Sequence, residues 1–178
     1  REEIIYWFEK YNHKDLDLYG HGWDISLFKN TFLKPLNRFQ KNTLFKLIKR
    51  NNLKIYNGFA KDKKEMLRKY RFSFCLENSI NRGYITEKIF DVFINESVPV
   101  YYGAKHISEY VPKNTFIDRE DFNSDSELMS YLNKVDKNQY MEYIYNINIF
   151  LDSEEFRKFG SKYFVKNIIK TLGLANND

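Results

Sequence analysis

Cysteine and long hydrophobic runs are the scarcest features of this 178-residue chain. Cys75 is the only cysteine, so no internal disulfide can form, and a reducing compartment is favoured. No apolar run approaches the ~20 residues that a membrane-spanning helix needs, and no signal segment opens the chain. Because the first residue is Arg1 and not Met, we interpret the chain as a fragment of a longer protein.

Residue patterns that hold metals or common cofactors are also missing. His13, His21 and His106 are scattered, no Cys-x-x-Cys pair occurs, and no carboxylate cluster has metal-site spacing. Neither a Walker motif nor a Gly-x-Gly-x-x-Gly fingerprint is present, and no Ser-His or Cys-His signature appears. We therefore expect no essential metal ion and no P-loop or dinucleotide chemistry.

The composition that is present is typical of a globular protein. Apolar residues make up 43% and charged residues 30%, and the length suits one domain. A net charge of +5 fits an anionic ligand, a nucleic acid or an acidic membrane surface. Since the basic residues form no stripe interleaved with aromatics, we expect no nucleic-acid partner.

The hydrophobic pattern predicts alternating strands and helices. Strands are predicted at 15–19, 53–56, 71–76, 98–102 and 115–117. Helices are predicted at 1–11, 44–50, 61–70, 85–95, 104–110, 126–135, 139–150 and 153–172, and 24–43 is predicted as loop with some helix. This order predicts an α/β fold with a parallel sheet and helices on both faces. We expect one domain over 1–150 and a helical tail over 151–178 that packs on it, with membrane docking of the tail as the alternative.

In such sheets, ligands bind beyond the carboxyl ends of the strands, which directs attention to the loops after Tyr19, Leu76 and Tyr102. The loop after Leu76 leads into a helix that begins near Glu87 and Lys88. A helix start carries unpaired N–H groups and a partial positive charge, so a lysine there opposes the helix dipole. Lys88 therefore either reaches solvent or an acidic neighbour, or grips a phosphate together with the N–H groups.

Two other groups near these loops have alternative interpretations. Glu77 and Asn78 follow the strand directly, where Asn78 could be a turn residue or could bind a sugar hydroxyl. Tyr101 and Tyr102 are first of all strand residues, although one could stack on a base or sugar. Cys75 is expected to be an inert core residue.

Several ordered motifs over 72–122 resemble the signature region of the α1,3/α1,4-fucosyltransferases, glycosyltransferase family ten. They are Leu76-Glu77-Asn78-Ser79, Tyr84-Ile85-Thr86-Glu87-Lys88, Val98-Pro99-Val100-Tyr101-Tyr102-Gly103, the segment from Pro112 to Ile117, and Asp121-Phe122. Upstream, Leu16 to Gly20 and Tyr56-Asn57-Gly58 with Lys61 to Lys63 also resemble family segments. Leu76 stands where an aromatic is common, and His21-Gly22 stands where many animal members have Cys-Gly.

The resemblance implies a Rossmann-like donor-binding domain, the C-terminal half of a two-domain B-type glycosyltransferase. It implies GDP-fucose as donor and inverting transfer to a galactose- or N-acetylglucosamine-containing glycan, without a metal cofactor. Carried over by position, Lys88 would bind the diphosphate and Glu87 the ribose. Asn78 and Tyr84 would lie near the fucose or nucleotide, and Arg1 would bind phosphate.

The general base belongs, in the family, to an N-terminal acceptor domain that this chain lacks. We therefore expect donor binding without efficient transfer by this chain alone. The alternatives are a related transferase with another nucleotide sugar and a non-catalytic nucleotide-binding module. The expected location is cytoplasmic, or peripheral at the inner membrane, for a bacterial protein, and the Golgi membrane for a eukaryotic one.

Overall fold

The computed structural model describes residues 2–20, 23 and 53–173, and the chain divides into two compact units. The units are Arg1–Asp62 and Lys63–Asp178. The first contains helix α1, Glu2–Tyr11, which buries Ile4, Ile5 and Phe8 at helical spacing. This confirms the predicted N-terminal helix. The assignment of 1–150 as donor domain and 151–178 as tail stays a prediction.

The two strands predicted in the first unit, 15–19 and 53–56, are reduced to a single parallel bridge between Leu18 and Tyr56. The Leu18 N–H donates to the Ile55 carbonyl at 2.7 Å, and the Asn57 N–H donates to the Leu18 carbonyl at 2.9 Å. The contact is too short to count as paired strands, so that prediction was wrong in extent. The predictions for 24–43 and 44–50 lie outside the described residues.

The second unit is built on a three-stranded parallel sheet in the order β1-β2-β3. The strands are β1, Phe72–Leu76; β2, Val98–Tyr102; and β3, Ile117–Asp118. In the register, Leu76 faces Tyr102 and Tyr101 faces Asp118. The carboxyl ends of all three strands therefore meet at one edge, and the predicted α/β class is confirmed.

Helices alternate with these strands along the chain. Helix α2, Lys63–Leu67, is shorter than predicted, and α3, Glu87–Ile94, connects β1 to β2. Helix α3 buries Ile89, Val92 and Phe93, whose i, i+3, i+4 spacing forms one apolar face. The helix predicted at 104–110 is only a 3₁₀ turn, Ile107–Glu109, and further 3₁₀ turns lie at Lys113–Thr115 and Arg119–Asp121.

The C-terminal part forms four helices. They are α4, Asp125–Lys134; α5, Lys137–Asp152; α6, Glu154–Arg157; and α7, Ser161–Thr171. The single helix predicted at 153–172 is thus interrupted. Helix α6 ends at Arg157, and Gly160, with φ −80° and ψ 154°, is the extended N-cap residue of α7.

An aromatic cluster joins α3 to the start of the predicted tail. The ring of Phe90 lies 5.6 Å from that of Phe156 and 4.6 Å from that of Phe159. Farther along, Phe164 and Ile168 of α7 are 64% and 42% exposed. The packing of the tail therefore rests on α6 and the turn after it, and the apolar side chains of α7 lie at the surface.

Candidate functional site

The candidate site lies at the sheet edge where β1 and β2 end. Glu77 follows Leu76 directly, and its N–H donates to the Tyr102 carbonyl at 2.8 Å. This bond extends the ladder by one step, so Glu77 is fixed as rigidly as a strand residue. Its side chain is 0% exposed. A fully buried carboxylate is unusual and needs hydrogen-bonding partners.

Those partners come from the first residues of α3. The Thr86 N–H donates to Glu77 Oε1 at 2.9 Å, and the Thr86 hydroxyl lies 2.8 and 2.9 Å from the two carboxylate oxygens. Lys88 Nζ donates to Glu77 Oε2 at 2.5 Å and to Thr86 Oγ1 at 3.1 Å. Glu77, Thr86 and Lys88 form a closed network, which we call the Glu77 triad.

The triad keeps the carboxylate ionised. Burial alone would raise the pKa of Glu77, but the hydrogen bonds from Lys88 and Thr86 outweigh it and hold that pKa below its ordinary value. The Lys88 side chain is 26% exposed. The Lys88 side chain is therefore partly open to solvent, whereas the carboxylate that it contacts is not.

Gly103 makes room for this arrangement. A Cβ atom at Gly103 would stand 2.5 Å from Glu77 Cγ and 2.7 Å from the Tyr101 hydroxyl. Tyr101 is 1% exposed, and its hydroxyl accepts the Ala104 N–H at 2.9 Å. Its ring lies 5.9 Å from that of Phe116, and burial raises the pKa of Tyr101 to about 12. Tyr101 is therefore a core residue, as the packing interpretation predicted.

The first turn of α3 is not capped by the side chain of its N-cap residue. Thr86 occupies the N-cap position in extended conformation, and no side-chain cap bond is made there in the described part of the chain. The Thr86 hydroxyl is turned toward Glu77 instead. The start of α3 therefore combines unpaired N–H groups, a partial positive charge and the ammonium of Lys88, which together suit an anion such as a phosphate.

Three of the other predicted site residues belong to the described part of the chain, and the fourth does not. Glu87, Asn78 and Tyr84 are all exposed, Tyr84 by 39%. All three lie in or beside the loop that leads from β1 to α3, close in sequence to the Glu77 triad, and their roles stay predictions. Arg1 lies outside the described residues.

An ion pair that the sequence analysis missed joins two loops at this edge. Arg82 Nη2 lies 2.9 Å from Glu109 Oε2, which links the loop after β1 to the 3₁₀ turn after β2. Both side chains are well exposed, so the pair contributes little to stability.

Other features stand apart from these residues. Within residues 2–20, 23 and 53–173, no group of three or more His, Cys, Asp or Glu side chains could hold a metal ion. A cavity of about 790 Å³ is lined by Phe90 and by residues between Leu151 and Lys166, including the first residues of α7, and no predicted site residue lines it. Cys75 is 1% exposed, and burial raises the pKa of its thiol, which confirms an inert core residue. None of the helices in the described part of the chain is both long and apolar enough to cross a bilayer.

Comparison with known proteins identifies the family to which this chain belongs. Residues 12–149 match the sequence model described as "Glycosyltransferase family 10 (fucosyltransferase) C-term". The chain is 47% identical over 77 residues to a 4-galactosyl-N-acetylglucosaminide 3-alpha-L-fucosyltransferase 9 of Mus musculus, covering 41% of this chain and 21% of that protein. It is 32% identical over 119 residues to an alpha-(1,3)-fucosyltransferase of Helicobacter pylori, covering 66% of this chain and 24% of the relative.

Two solved structures are also similar. A crystal structure of an alpha1,3-fucosyltransferase with GDP has a TM-score of 0.47 at 31% identity, covering 50% of this chain and 27% of that one. A crystal structure of an alpha1,3-fucosyltransferase with GDP-fucose has a TM-score of 0.47 at 25% identity. The match covers 67% of this chain and 37% of that one. The chain thus spans about a quarter of the curated relatives and a quarter to a third of the solved chains that it matches.

The family match covers well over half of the chain, including β1, α3, β2 and β3. This chain belongs to glycosyltransferase family 10, the fucosyltransferases, in the C-terminal region of that family. The resemblance inferred from the motifs of 72–122 is confirmed.

Proposed function

We propose that this chain is the donor-binding part of an inverting α1,3/α1,4-fucosyltransferase. It takes GDP-fucose as donor, and the transferred L-fucose passes to a galactose- or N-acetylglucosamine-containing glycan. Family membership supports the reaction class. The observation that carries the assignment of the site is the partly exposed side chain of Lys88, whose ammonium is held by Glu77 beside the uncapped start of α3.

In this proposal the diphosphate of GDP lies at the start of α3. Lys88 and the first N–H groups of α3 donate charge-assisted hydrogen bonds to phosphate oxygens, each worth ~1.5–3 kcal/mol. Glu87 binds the ribose hydroxyls, while Asn78 and Tyr84 lie near the fucose or the nucleotide. Arg1 is proposed, from its position in the family pattern alone, to bind phosphate.

The chemistry follows from this placement. When the bond between fucose and phosphate breaks, its electron pair stays on GDP, whose charge becomes more negative. An ammonium and a helix start directed at that charge lower the barrier, because they are stronger partners of the leaving group than of the intact donor. A carboxylate supplied by the acceptor domain accepts the proton of the acceptor hydroxyl as it attacks.

A diphosphate-binding site of this kind is also compatible with two alternative functions. A related transferase could use another nucleotide sugar, because a helix start binds any diphosphate and the base and sugar are chosen by a few further contacts. A non-catalytic nucleotide-binding module is the other alternative. Calorimetry with GDP-fucose, GDP-mannose and UDP-galactose distinguishes a fucosyltransferase from a transferase with another nucleotide sugar, since the fucosyltransferase prefers GDP-fucose.

The proposed partners and location follow from the same assignment. The partners are GDP-fucose, the glycan and the acceptor domain of the parent protein, with peripheral membrane contact through the exposed apolar side chains of α7 and no nucleic acid. A bacterial protein would work in the cytoplasm or at the inner membrane, and a eukaryotic one at the Golgi membrane. The reaction is proposed to need no metal.

The test of the site is Lys88→Ala. We expect GDP affinity, measured by calorimetry, to fall by about 10- to 150-fold, because one charge-assisted contact worth ~1.5–3 kcal/mol is lost. Lys134→Ala, which removes an exposed lysine at the end of α4, is the matched control and should bind GDP normally.

Thermal unfolding of both variants must accompany the measurement, because Lys88→Ala also removes the partner of a buried carboxylate. If the variant is folded and binds GDP as well as the original chain, Lys88 is not a phosphate ligand. The site proposal would then be wrong.

A further inference from the structure

We propose that Glu77 is the positioning residue of the diphosphate site, an inference that rests on the function proposed above. Its buried carboxylate fixes the ammonium of Lys88 and, through Thr86, the start of α3 at the edge of the sheet. Glu77 itself does not touch the donor. It acts on the donor only through Lys88 and Thr86.

Burial decides which side of the pair faces the ligand. The Glu77 side chain is fully buried, whereas the Lys88 side chain is 26% exposed. A ligand that approaches from solvent therefore meets the Lys88 side chain and not the carboxylate. This arrangement reduces the repulsion between Glu77 and a phosphate, because the ammonium of Lys88 offsets the charge of the carboxylate.

The hydrogen bonds of Lys88 also support a positioning role for Glu77. An ammonium has three N–H donors, and two of them are directed at Glu77 Oε2 and Thr86 Oγ1. Those two bonds select one rotamer of a side chain that otherwise loses up to ~2 kcal/mol of conformational entropy when it is ordered. The remaining donor is thereby oriented before any ligand arrives. The conformational entropy of the Lys88 side chain is therefore lost when the chain folds and not when the ligand binds.

The Thr86 contacts extend the positioning to the helix. The Thr86 backbone N–H donates to Glu77 Oε1, and Glu77 in turn is anchored on β2 by its own N–H bond to the Tyr102 carbonyl. The beginning of α3 is thus tied to the carboxyl ends of two strands. Without the tie, the N–H groups of Glu87 and Lys88 would no longer have a fixed direction.

A lysine that contacts donor phosphates while paired with a carboxylate has a physical precedent. In protein kinases a lysine–glutamate ion pair must be formed before the phosphates are held correctly. The comparison is by geometry alone, since the folds differ. It indicates that a carboxylate behind a lysine can support phosphate binding instead of opposing it.

The experiment measures binding of guanosine, GMP and GDP to the full chain and to Glu77→Gln, which keeps the shape and removes the charge. We expect GDP affinity to fall by about 5- to 30-fold and guanosine affinity to stay within twofold, because only the phosphate contacts depend on Lys88. Thr86→Val should lower GDP affinity as well, whereas Thr86→Ser, which retains the hydroxyl, should restore it.

A double-mutant cycle separates positioning from general loosening of the fold. In a Lys88→Ala background, Glu77→Gln should cause a smaller loss of GDP affinity than in the original chain, because the Lys88 ammonium is already gone and only the contribution through Thr86 remains. A further readout is the ¹⁵N signal of the Lys88 ammonium. It should be sharp in the original chain and broadened by exchange with water in Glu77→Gln.

Each outcome has one meaning. If the original chain does not bind GDP, the proposed function fails. If it binds GDP and Glu77→Gln binds equally well or more tightly, the positioning inference fails while the function stands. An equal loss for guanosine and GDP, or full additivity with Lys88→Ala, would also overturn it, since Glu77 would then be a structural residue only.

Discussion

At the scale of single residues, Gly103 has the closest neighbours of the glycines that the structure describes. An added Cβ would lie 2.5 Å from Glu77 Cγ and 2.7 Å from Glu77 Cβ, and the strand ends leave neither group room to withdraw. We expect Gly103→Ala to lower the free energy of unfolding by ~1–3 kcal/mol, the usual cost of overpacking. The change in the free energy of unfolding is measured by chemical denaturation monitored with circular dichroism.

Gly160→Ala is the control for that substitution. Gly160 is exposed, and its added Cβ would meet the Arg157 carbonyl oxygen at 3.2 Å. We expect a change within about 0.5 kcal/mol, as for most surface substitutions. Equal effects at the two glycines would contradict the close approach of Gly103 to Glu77.

The residues of the site were only partly predictable. Lys88 was identified because a lysine in the first turn of a helix opposes the dipole. That Glu77 would be its partner was not predicted, because the two are 11 residues apart and only the packing of α3 on the end of β1 brings them together. The one available signal was a carboxylate placed directly after a buried strand.

At the scale of the elements, the junction before α5 carries a complete capping box. The Gln139 N–H donates to Asp136 Oδ1 at 2.9 Å, and the Asp136 N–H donates to Gln139 Oε1 at 3.0 Å. We expect Asp136→Ala to lower the free energy of unfolding by ~0.5–2 kcal/mol, because a first-turn N–H loses its acceptor and the helix dipole loses a favourable charge.

Asp152→Ala, at the other end of α5, provides the contrast. A carboxylate at a helix C-terminus opposes the dipole, so its removal should be neutral or slightly stabilising. Thermal unfolding of the two variants side by side measures the difference. A similar loss from both would mean that the cap contributes nothing specific.

The elements themselves were predicted unevenly, for physical reasons. Strand β2 was predicted with its observed bounds, because a fully apolar run ends at Gly103. The helix predicted at 153–172 was wrong as one element. Its spacing is helical throughout, but Phe159 packs on Phe90 and Gly160 adopts extended dihedral angles, and this tertiary contact overrides the local pattern.

At the scale of the whole chain, Cys75 offers a probe of cooperative opening. It is the only cysteine of the sequence and lies in β1 at 1% exposure. Burial and the neighbouring Glu77 carboxylate raise the pKa of its thiol, so the folded form should not react with a thiol reagent at pH 8. Labelling should therefore proceed only through opening of the unit that contains the sheet.

GDP should slow that labelling if the diphosphate site is formed by the same unit. A ligand that binds only the closed form reduces the open population by a factor of 1 + [L]/Kd, which is ~100-fold at a hundred times the Kd. The measurement is the rate of thiol modification, followed by mass spectrometry, with and without GDP. Lys134→Ala should show the same protection as the original chain, and Lys88→Ala should lose most of it at equal GDP concentration. Protection that is unchanged in Lys88→Ala would place the bound nucleotide away from α3, because Lys88 would then contribute nothing to the binding energy that closes the unit.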